Sequence, residues 1–157
     1  MLPSPDEIKT VLEQQLPGIS LTLDDSALFV EPKDLLAVCR SLKTSEQFRL
    51  DYLANLTVVD YPQEQRMDVV YHLYSMQEKR GPLILKVRLP RQQPIVASVT
   101  PLWRGAEFQE REAYDLFGVR FEGHPDLRRI LLWEGFDGHP MRKDYIVEDQ
   151  NTLQPRQ

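Results

Sequence analysis

The sequence is almost free of cysteine. Cys39 is the only cysteine among 157 residues, so the chain cannot form an internal disulfide. It also cannot supply by itself the four thiolates of a structural zinc site or an iron–sulfur cluster. We therefore expect no cofactor in this chain, and any redox groups with which the protein works should belong to other chains.

Two further features are missing, a long apolar run and an excess of positive charge. No run approaches the roughly 18 residues of a membrane-spanning helix, and the N-terminus, with Pro3, Pro5, Asp6 and Glu7, lacks a basic-then-apolar signal segment. The formal net charge is -5, with Lys and Arg interspersed among acids, which argues against a nucleic-acid partner. We expect the protein to stay in the compartment where it is made and any membrane contact to be indirect.

The composition is that of a globular protein. Hydrophobic residues make up 41% of the chain and charged residues 27%, unlike a disordered or membrane-spanning sequence. The length fits one domain that buries a core without metal or disulfide support.

The first 45 residues combine helical and strand patterns. Ser4-Pro5-Asp6-Glu7 is typical of a capping box with proline at the first helical position, and Pro17-Gly18 should end that helix. Alternation from Ile19 to Val30 predicts a hairpin. Pro32 then begins a second helix, whose apolar face carries Leu35, Leu36, Cys39 and Leu42.

Three strand-like runs follow, from Leu56 to Tyr61, Met67 to Ser75 and Leu83 to Leu89. They predict an antiparallel meander. Because helices and hairpins are mixed without a regular strand–helix alternation, we predict an α+β fold, a mostly antiparallel sheet covered by helices on one face.

A third helix should begin at Thr100-Pro101 and run to Phe117, with Gly118 as the terminating residue. One side of this helix is apolar, and the other carries charged residues together with an aromatic: Phe108, Arg111, Glu112 and Asp115.

Regular periodicity is lost from Val119 onward. Such a long segment is either disordered or held by something, and its aromatics, among them Trp133 and Tyr145, argue against disorder. The segment also repeats Phe-Glu-Gly-His-Pro at 121–125 as Phe-Asp-Gly-His-Pro at 136–140, which predicts two similar turns. We divide the chain into an α+β domain over residues 1–118 and a long extended C-terminal arm over residues 119–157 that wraps a partner subunit.

Particular runs in the second half resemble a known family. Glu110-Arg111-Glu112-Ala113-Tyr114-Asp115-Leu116-Phe117-Gly118 and the following Gly123–Leu131 closely resemble the signature of the 30-kDa subunit of complex I, also called the C-type subunit of bacterial NADH-quinone oxidoreductase. Gly138–Tyr145 and Leu56–Tyr61 are also similar to that family. The resemblance is strongest from Pro94 to Tyr145.

The resemblance implies a structural, non-catalytic subunit of a proton-translocating NADH:quinone oxidoreductase. Such a subunit lies in the peripheral arm of a hetero-oligomer, beside the 49-kDa, D-type subunit, on the cytoplasmic face of the bacterial cell membrane. NADH, FMN, iron–sulfur clusters and quinone would belong to partner subunits. Related subunits also serve hydrogenases and ferredoxin-using complexes, so the electron donor stays open, as do the quinone and the pumped ion.

We expect the partner-binding residues to lie on the third helix and the arm. Arg111 should tie the neighbouring acids together and present them to the partner, and Trp133 is a candidate hot spot. The full predicted set is Glu110, Arg111, Glu112, Asp115, His124, Arg128, Arg129, Trp133, Arg142, Lys143, Asp144 and Tyr145.

Other functions use the same residues. Neighbouring carboxylates among Glu110, Glu112 and Asp115 could form a paired acid–base site. The sequence supplies no nucleophile or phosphate loop beside them. A small metal-dependent enzyme could instead use the arm's imidazoles and carboxylates, namely His124, His139, Asp126 and Asp137. A generic adaptor domain outside respiration is the third alternative.

Overall fold

The computed structural model describes residues 2–146. Helix α1 (Pro5–Gln15) begins at the predicted capping box, in which the Ser4 Oγ accepts from the Glu7 N–H and the Glu7 carboxylate accepts from the Ser4 N–H at 2.7 Å. The predicted hairpin follows as β1 (Leu21–Asp24) and β2 (Ala27–Val30). A short 3-10 turn at Pro32–Asp34 then leads into α2 (Leu35–Thr44). These sequence predictions are confirmed.

The three predicted strand runs are confirmed, and each is longer than the sequence pattern indicates. They are β3 (Tyr52–Tyr61), β4 (Arg66–Ser75) and β5 (Arg80–Pro90). The five strands form one sheet in the order β1-β2-β5-β4-β3. Every neighbouring pair is antiparallel except β2 and β5, which are parallel.

One face of the sheet forms the core. A row of buried side chains crosses four paired strands through Leu56, Tyr71, Leu85 and Leu28. Because side chains alternate between faces along a strand, the same face also presents the neighbouring alternate positions of β4 and β5. Buried residues of all three helices belong to this single core. The α+β fold with helices on one sheet face is therefore confirmed.

The third helix, α3 (Ala106–Phe117), lies in sequence between two short parallel strands, β6 (Ile95–Ala97) and β7 (Arg120–Glu122). Strand β7 falls within the segment predicted as the arm. Residues 123–146 form neither helix nor strand, and the remaining arm residues, 147–157, lie outside the described residues.

The predicted start of α3 was wrong, because the helix begins at Ala106 and not at Thr100-Pro101. The N–H groups of Leu102 and Trp103 both donate to the Val99 carbonyl at 3.0 Å, which closes a separate turn. The Trp103 indole N–H donates to the Leu50 carbonyl at 3.1 Å and fixes this turn against the core. The predicted end is confirmed, since Gly118 has a φ of 78°.

Candidate functional site

Asp115, near the end of α3, is the centre of the contact between the arm and the domain. Its side chain is fully buried. Its Oδ2 accepts from three successive backbone N–H groups of the arm, those of Ile130 at 3.1 Å, Leu131 at 2.8 Å and Leu132 at 3.0 Å. Its Oδ1 accepts from the Arg129 guanidinium at 2.8 Å. The carboxylate therefore orders the backbone of this irregular segment.

The charge of Asp115 is matched to these donors. Burial alone would raise its pKa, but the backbone N–H groups and the Arg129 guanidinium together hold the pKa below its ordinary value. The carboxylate consequently stays ionised at neutral pH, as a hydrogen-bond acceptor of this kind must.

Arg111 also holds the arm, although not in the predicted way. Its Nε donates to the Arg128 carbonyl at 3.1 Å and its Nη2 to the Arg129 carbonyl at 3.0 Å. The prediction that it ties the neighbouring acids together was wrong. Its guanidinium satisfies arm carbonyls beside the Asp115 contact, so α3 binds both the donors and the acceptors of one arm segment.

Arg129 organises the next part of the arm. Besides its ion pair with Asp115, its Nη2 donates to the carbonyls of Phe136 at 3.1 Å and Gly138 at 3.0 Å. Since a guanidinium is planar and carries several donors, this one side chain joins α3 to a turn seven to nine residues further along the chain.

The two repeated Gly-His-Pro turns both bind α3. Gly123 and Gly138 have φ values of 81° and 84°, so the two glycines share the left-handed conformation. The first turn is also closed by a bond from the His124 N–H to the Phe121 carbonyl at 3.3 Å. His124 Nε2 lies 2.9 Å from the Glu107 carbonyl, and His139 Nδ1 lies 3.1 Å from the Asp115 carbonyl. Burial lowers the pKa of His139, so its ring is neutral at neutral pH.

A second ion-pair cluster holds the end of the described arm. Arg91 lies between Asp60 and Asp144, with its Nε 2.7 Å from the Asp60 Oδ1 and its Nη2 2.6 Å from the Asp144 Oδ1. Asp60 also accepts from the Lys143 N–H at 2.9 Å. The hydrogen bond from Arg91 is the main reason why the pKa of Asp60 is lowered, and it also lowers that of Asp144.

Sequence reasoning missed Arg91 and Asp60. A signal for Asp60 was present, because it occupies the same alternate positions of β3 as the core residues Leu56 and Val58. A buried acid at such a position needs a partner. Nothing in the local sequence identifies that partner as Arg91, 31 residues away.

Glu110 contributes to the domain instead of to the outer surface. It is fully buried, and its carboxylate accepts from the Ser98 Oγ at 2.6 Å and from the Val99 N–H at 2.8 Å. Burial raises its pKa to about 7, although these two hydrogen bonds oppose the shift.

The outer side of the arm is apolar in several places. Trp133 is 69% exposed and Leu131 is 60% exposed, and the ring of Trp133 meets that of Phe136 edge to face at 4.8 Å. Five of the eight exposed large apolar side chains in the described part of the chain lie on α3 or the arm: Phe108, Leu131, Trp133, Met141 and Ile146. We call these five residues the apolar patch.

The predicted partner-binding residues fall into three groups. Glu110, Arg111 and Asp115 are buried. As whole residues, His124, Arg129, Arg142 and Tyr145 are half-buried, although the side chain of His124 is fully buried. The Arg142 Nε donates to the Phe117 carbonyl at 2.7 Å. The exposed members are Glu112, Arg128, Trp133, Lys143 and Asp144. Their contact with a partner stays a prediction.

Within residues 2–146, no three His, Cys, Asp or Glu side chains come together as a metal site would require. In the same part of the chain, no helix combines the length and apolar character needed to cross a membrane.

Sequence comparison identifies relatives in bacterial respiration. The chain is 48% identical over 128 residues to the C-type subunit of NADH-quinone oxidoreductase from Moorella thermoacetica, covering 82% of this chain and 84% of the relative. It is also 48% identical to the second C-type subunit of NADH-quinone oxidoreductase from Rhizobium meliloti, covering 76% of this chain but only 65% of that longer relative.

Two solved structures are similar to the chain. A trypsin-resistant fragment (1-134) of Nqo5 is 32% identical, with a TM-score of 0.56 over 76% of this chain and 98% of the fragment. A chain of the membrane-bound sulfane sulfur reductase, an archaeal respiratory membrane complex, shares the fold, with a TM-score of 0.73 at 24% identity over 90% of this chain and 85% of that chain. The family described as respiratory-chain NADH dehydrogenase, 30 Kd subunit, matches residues 28–151. The chain therefore belongs to the 30-kDa subunit family of the respiratory-chain NADH dehydrogenase, complex I.

Proposed function

We propose that the chain is a scaffold subunit in the peripheral arm of a complex I-type NADH:quinone oxidoreductase, without a cofactor or catalytic residue of its own. Family membership and relatives named as the C-type subunit support this role. In this proposal NADH, FMN, iron–sulfur clusters and quinone are held by partner subunits. The chain supports their electron transfer, which is coupled to proton translocation, by binding and positioning those partners.

The observation that carries the proposal is the contrast between the two sides of the arm. Its inner side is fixed by buried polar contacts to Asp115, Arg111 and Asp60. Four members of the apolar patch are exposed on the arm, and the fifth, Phe108, is exposed on α3. An exposed group of apolar residues on a rigid support is typical of a protein–protein interface. A preformed arm also avoids much of the entropy cost of ordering a segment on binding.

The partner that we propose is the 49-kDa, D-type subunit. Exposed charged residues of both signs, Arg128, Lys143 and Asp144, lie within three residues of members of the apolar patch along the chain. Such a mixed rim favours one orientation of a complementary partner more than it adds affinity. The contact would hold the chain at the cytoplasmic face of the bacterial membrane, as a peripheral component of the complex.

The test is affinity purification of an N-terminally tagged chain from gently solubilised membranes. Leu131→Ser removes an apolar side chain of the patch but keeps the N–H that Asp115 binds. Met76→Ser is the matched control, because Met76 is 61% exposed on the turn between β4 and β5. We expect Leu131→Ser to reduce recovery of the 49-kDa-type subunit by about tenfold, the effect of losing roughly 1.4 kcal/mol of binding.

Equal recovery with both variants would contradict the patch as the docking surface. A chain that elutes alone, carries stoichiometric metal and is catalytically active would contradict the scaffold role itself.

A further inference from the structure

Glu110 joins three separate parts of the fold. It lies on α3, its carboxylate binds Ser98 and Val99 in the segment after β6, and its Oε2 lies 3.9 Å from the Nε2 of His124 in the first turn of the arm. Both side chains of this last contact are fully buried. Among the described residues, no Lys or Arg side chain forms an ion pair with this carboxylate.

The hydrogen bonds of His124 define where its ring proton lies. Nδ1 accepts from the Asp126 backbone N–H at 2.9 Å, so the proton of the neutral ring is on Nε2. Nε2 then donates to the Glu107 carbonyl at 2.9 Å. A single imidazole therefore shapes the turn through one nitrogen and fastens the turn to α3 through the other.

The surroundings of this pair hold few other charges. On the arm side, Asp126 forms an ion pair with Arg128 at 2.8 Å. The hydrogen bond from Arg128, together with the positive charge of Arg111 on α3, lowers the pKa of Asp126. On the core side, burial raises the pKa of the Tyr71 phenol on β4, so this neighbouring group stays uncharged in the neutral range. Burial raises the pKa of Glu110 to about 7, so its charge changes in the neutral range.

Ionisation would place a second, stronger acceptor beside the His124 N–H. A carboxylate accepts a hydrogen bond about twice as strong as a neutral carbonyl does. Glu110 Oε2 already lies 3.9 Å from Nε2, so a small movement of the ring would exchange the Glu107 carbonyl for the carboxylate. That movement would also carry Nδ1 away from the Asp126 N–H.

We propose that Glu110 is a pH-responsive latch for the first turn of the arm. With a neutral Glu110, the His124 N–H stays on the Glu107 carbonyl and the turn is seated on α3. Loss of one proton from Glu110 to solvent draws that N–H to the carboxylate and loosens the turn between Gly123 and Asp126. Asp115 stays ionised throughout, so the arm beyond Ile130 remains bound.

The first test is NMR on the labelled full-length chain between roughly pH 5.5 and 8.5. The Glu110 Cδ shift reports its ionisation, and hydrogen exchange of the Asp126 amide, corrected for the intrinsic rate, reports the seating of the turn. We expect protection of this amide to fall about tenfold with a midpoint equal to that of Glu110. The Ile130 amide, bound by Asp115, should keep constant protection.

Two variants separate the latch from a general effect of pH. Glu110→Gln can keep the bonds to Ser98 and Val99 without a charge, so its Asp126 protection should not change with pH. Glu112→Gln, exposed on the same helix, should behave like the wild type. The proposal is overturned if Asp126 protection in the wild type does not follow the Glu110 titration, or if it falls equally in Glu110→Gln. If Glu110→Gln does not fold, the comparison of Asp126 protection with the Glu110 titration in the wild type is sufficient to decide.

Discussion

Arg129 Nη1 lies 2.8 Å from the Oδ1 of Asp115, which joins a segment without regular secondary structure to a fully buried carboxylate on α3. The same carboxylate accepts three backbone N–H groups of that segment. A buried charge is tolerated only when it is paired and its hydrogen bonds are satisfied. The arm thus contributes Arg129 and the backbone N–H groups of residues 130–132 to the polar interior, while other arm side chains, such as Trp133, stay exposed.

Asp115→Asn should destabilise the protein by about 3 kcal/mol, because the amide loses the charge that pairs with Arg129 and turns N–H donors towards backbone N–H donors. Urea unfolding followed by circular dichroism measures the effect. Asp137→Asn, at an exposed arm position, is the control and should change stability by less than about 0.5 kcal/mol. Similar midpoints for the two variants would show that Asp115 does not hold the arm.

Glu110→Gln should reduce the pH dependence of the protein's stability. The pKa of Glu110 is raised from 4.5 to about 7 in the folded state, so the folded state binds the proton more tightly than the unfolded state. The resulting stability is complete below pH 4.5 and is lost as the pH rises through about 7. We expect the wild type to lose up to about 3 kcal/mol across this window.

In urea titrations at several pH values, Glu110→Gln should show a smaller decline over the same window. Glu112→Gln should retain the wild-type decline. A Glu110→Gln profile that runs parallel to the wild-type profile would exclude Glu110 as its source.

Arg91→Lys should release the end of the described arm. Lysine keeps the charge but cannot bind Asp60 and Asp144 simultaneously through a planar, forked group. We expect a loss of about 2 kcal/mol and faster hydrogen exchange of the Lys143 amide, which donates to Asp60. Arg88→Lys, at an exposed position of β5, should leave that amide unchanged. Unchanged exchange in Arg91→Lys would mean that Asp60 holds Lys143 without help.

Gly118→Ala should destabilise the protein by about 2 kcal/mol. Its φ of 78° disfavours a Cβ, and an added Cβ would lie 2.6 Å from the His139 Nε2 and 2.9 Å from the Arg142 Nη2. The matched change is Gly105→Ala at the other end of α3, where φ is -63° and nothing lies within 4 Å of an added Cβ. Thermal unfolding compares the two, and equal melting temperatures would argue against close packing of the arm at Gly118.

Features set by neighbouring residues were predictable from the sequence. The capping box at Ser4 and Glu7, the glycine that ends α3 and the two Gly-His-Pro turns each depend on contacts or backbone angles within a few residues. The strand runs were also recognisable, because their apolar residues alternate with the period of a sheet. These elements were sufficient to give the fold class.

The interior of the candidate site could not be predicted in the same way. The sequence pattern places Asp115 on the charged side of a helix. Its acceptor role depends on N–H groups 15 to 17 residues away, in a segment without periodicity. Arg91 and Asp144 are 53 residues apart. The predicted start of α3 was wrong because Thr100-Pro101 is compatible with a helix start. The separate turn found there is fixed by a tertiary hydrogen bond from Trp103 to Leu50, which the local sequence does not indicate.

The paired turns depend on the number of helical residues between their two contact sites on α3. His124 and His139 contact the carbonyls of Glu107 and Asp115, which are eight residues apart on α3. Each residue added to a helix rotates the following residues by about 100° and advances them by about 1.5 Å. Both contacts can therefore form only while Glu107 and Asp115 keep this separation along α3. An insertion within α3 would therefore turn one of the two contact sites away from its histidine, whereas the exposed, irregular arm residues 133–135 can accommodate added residues.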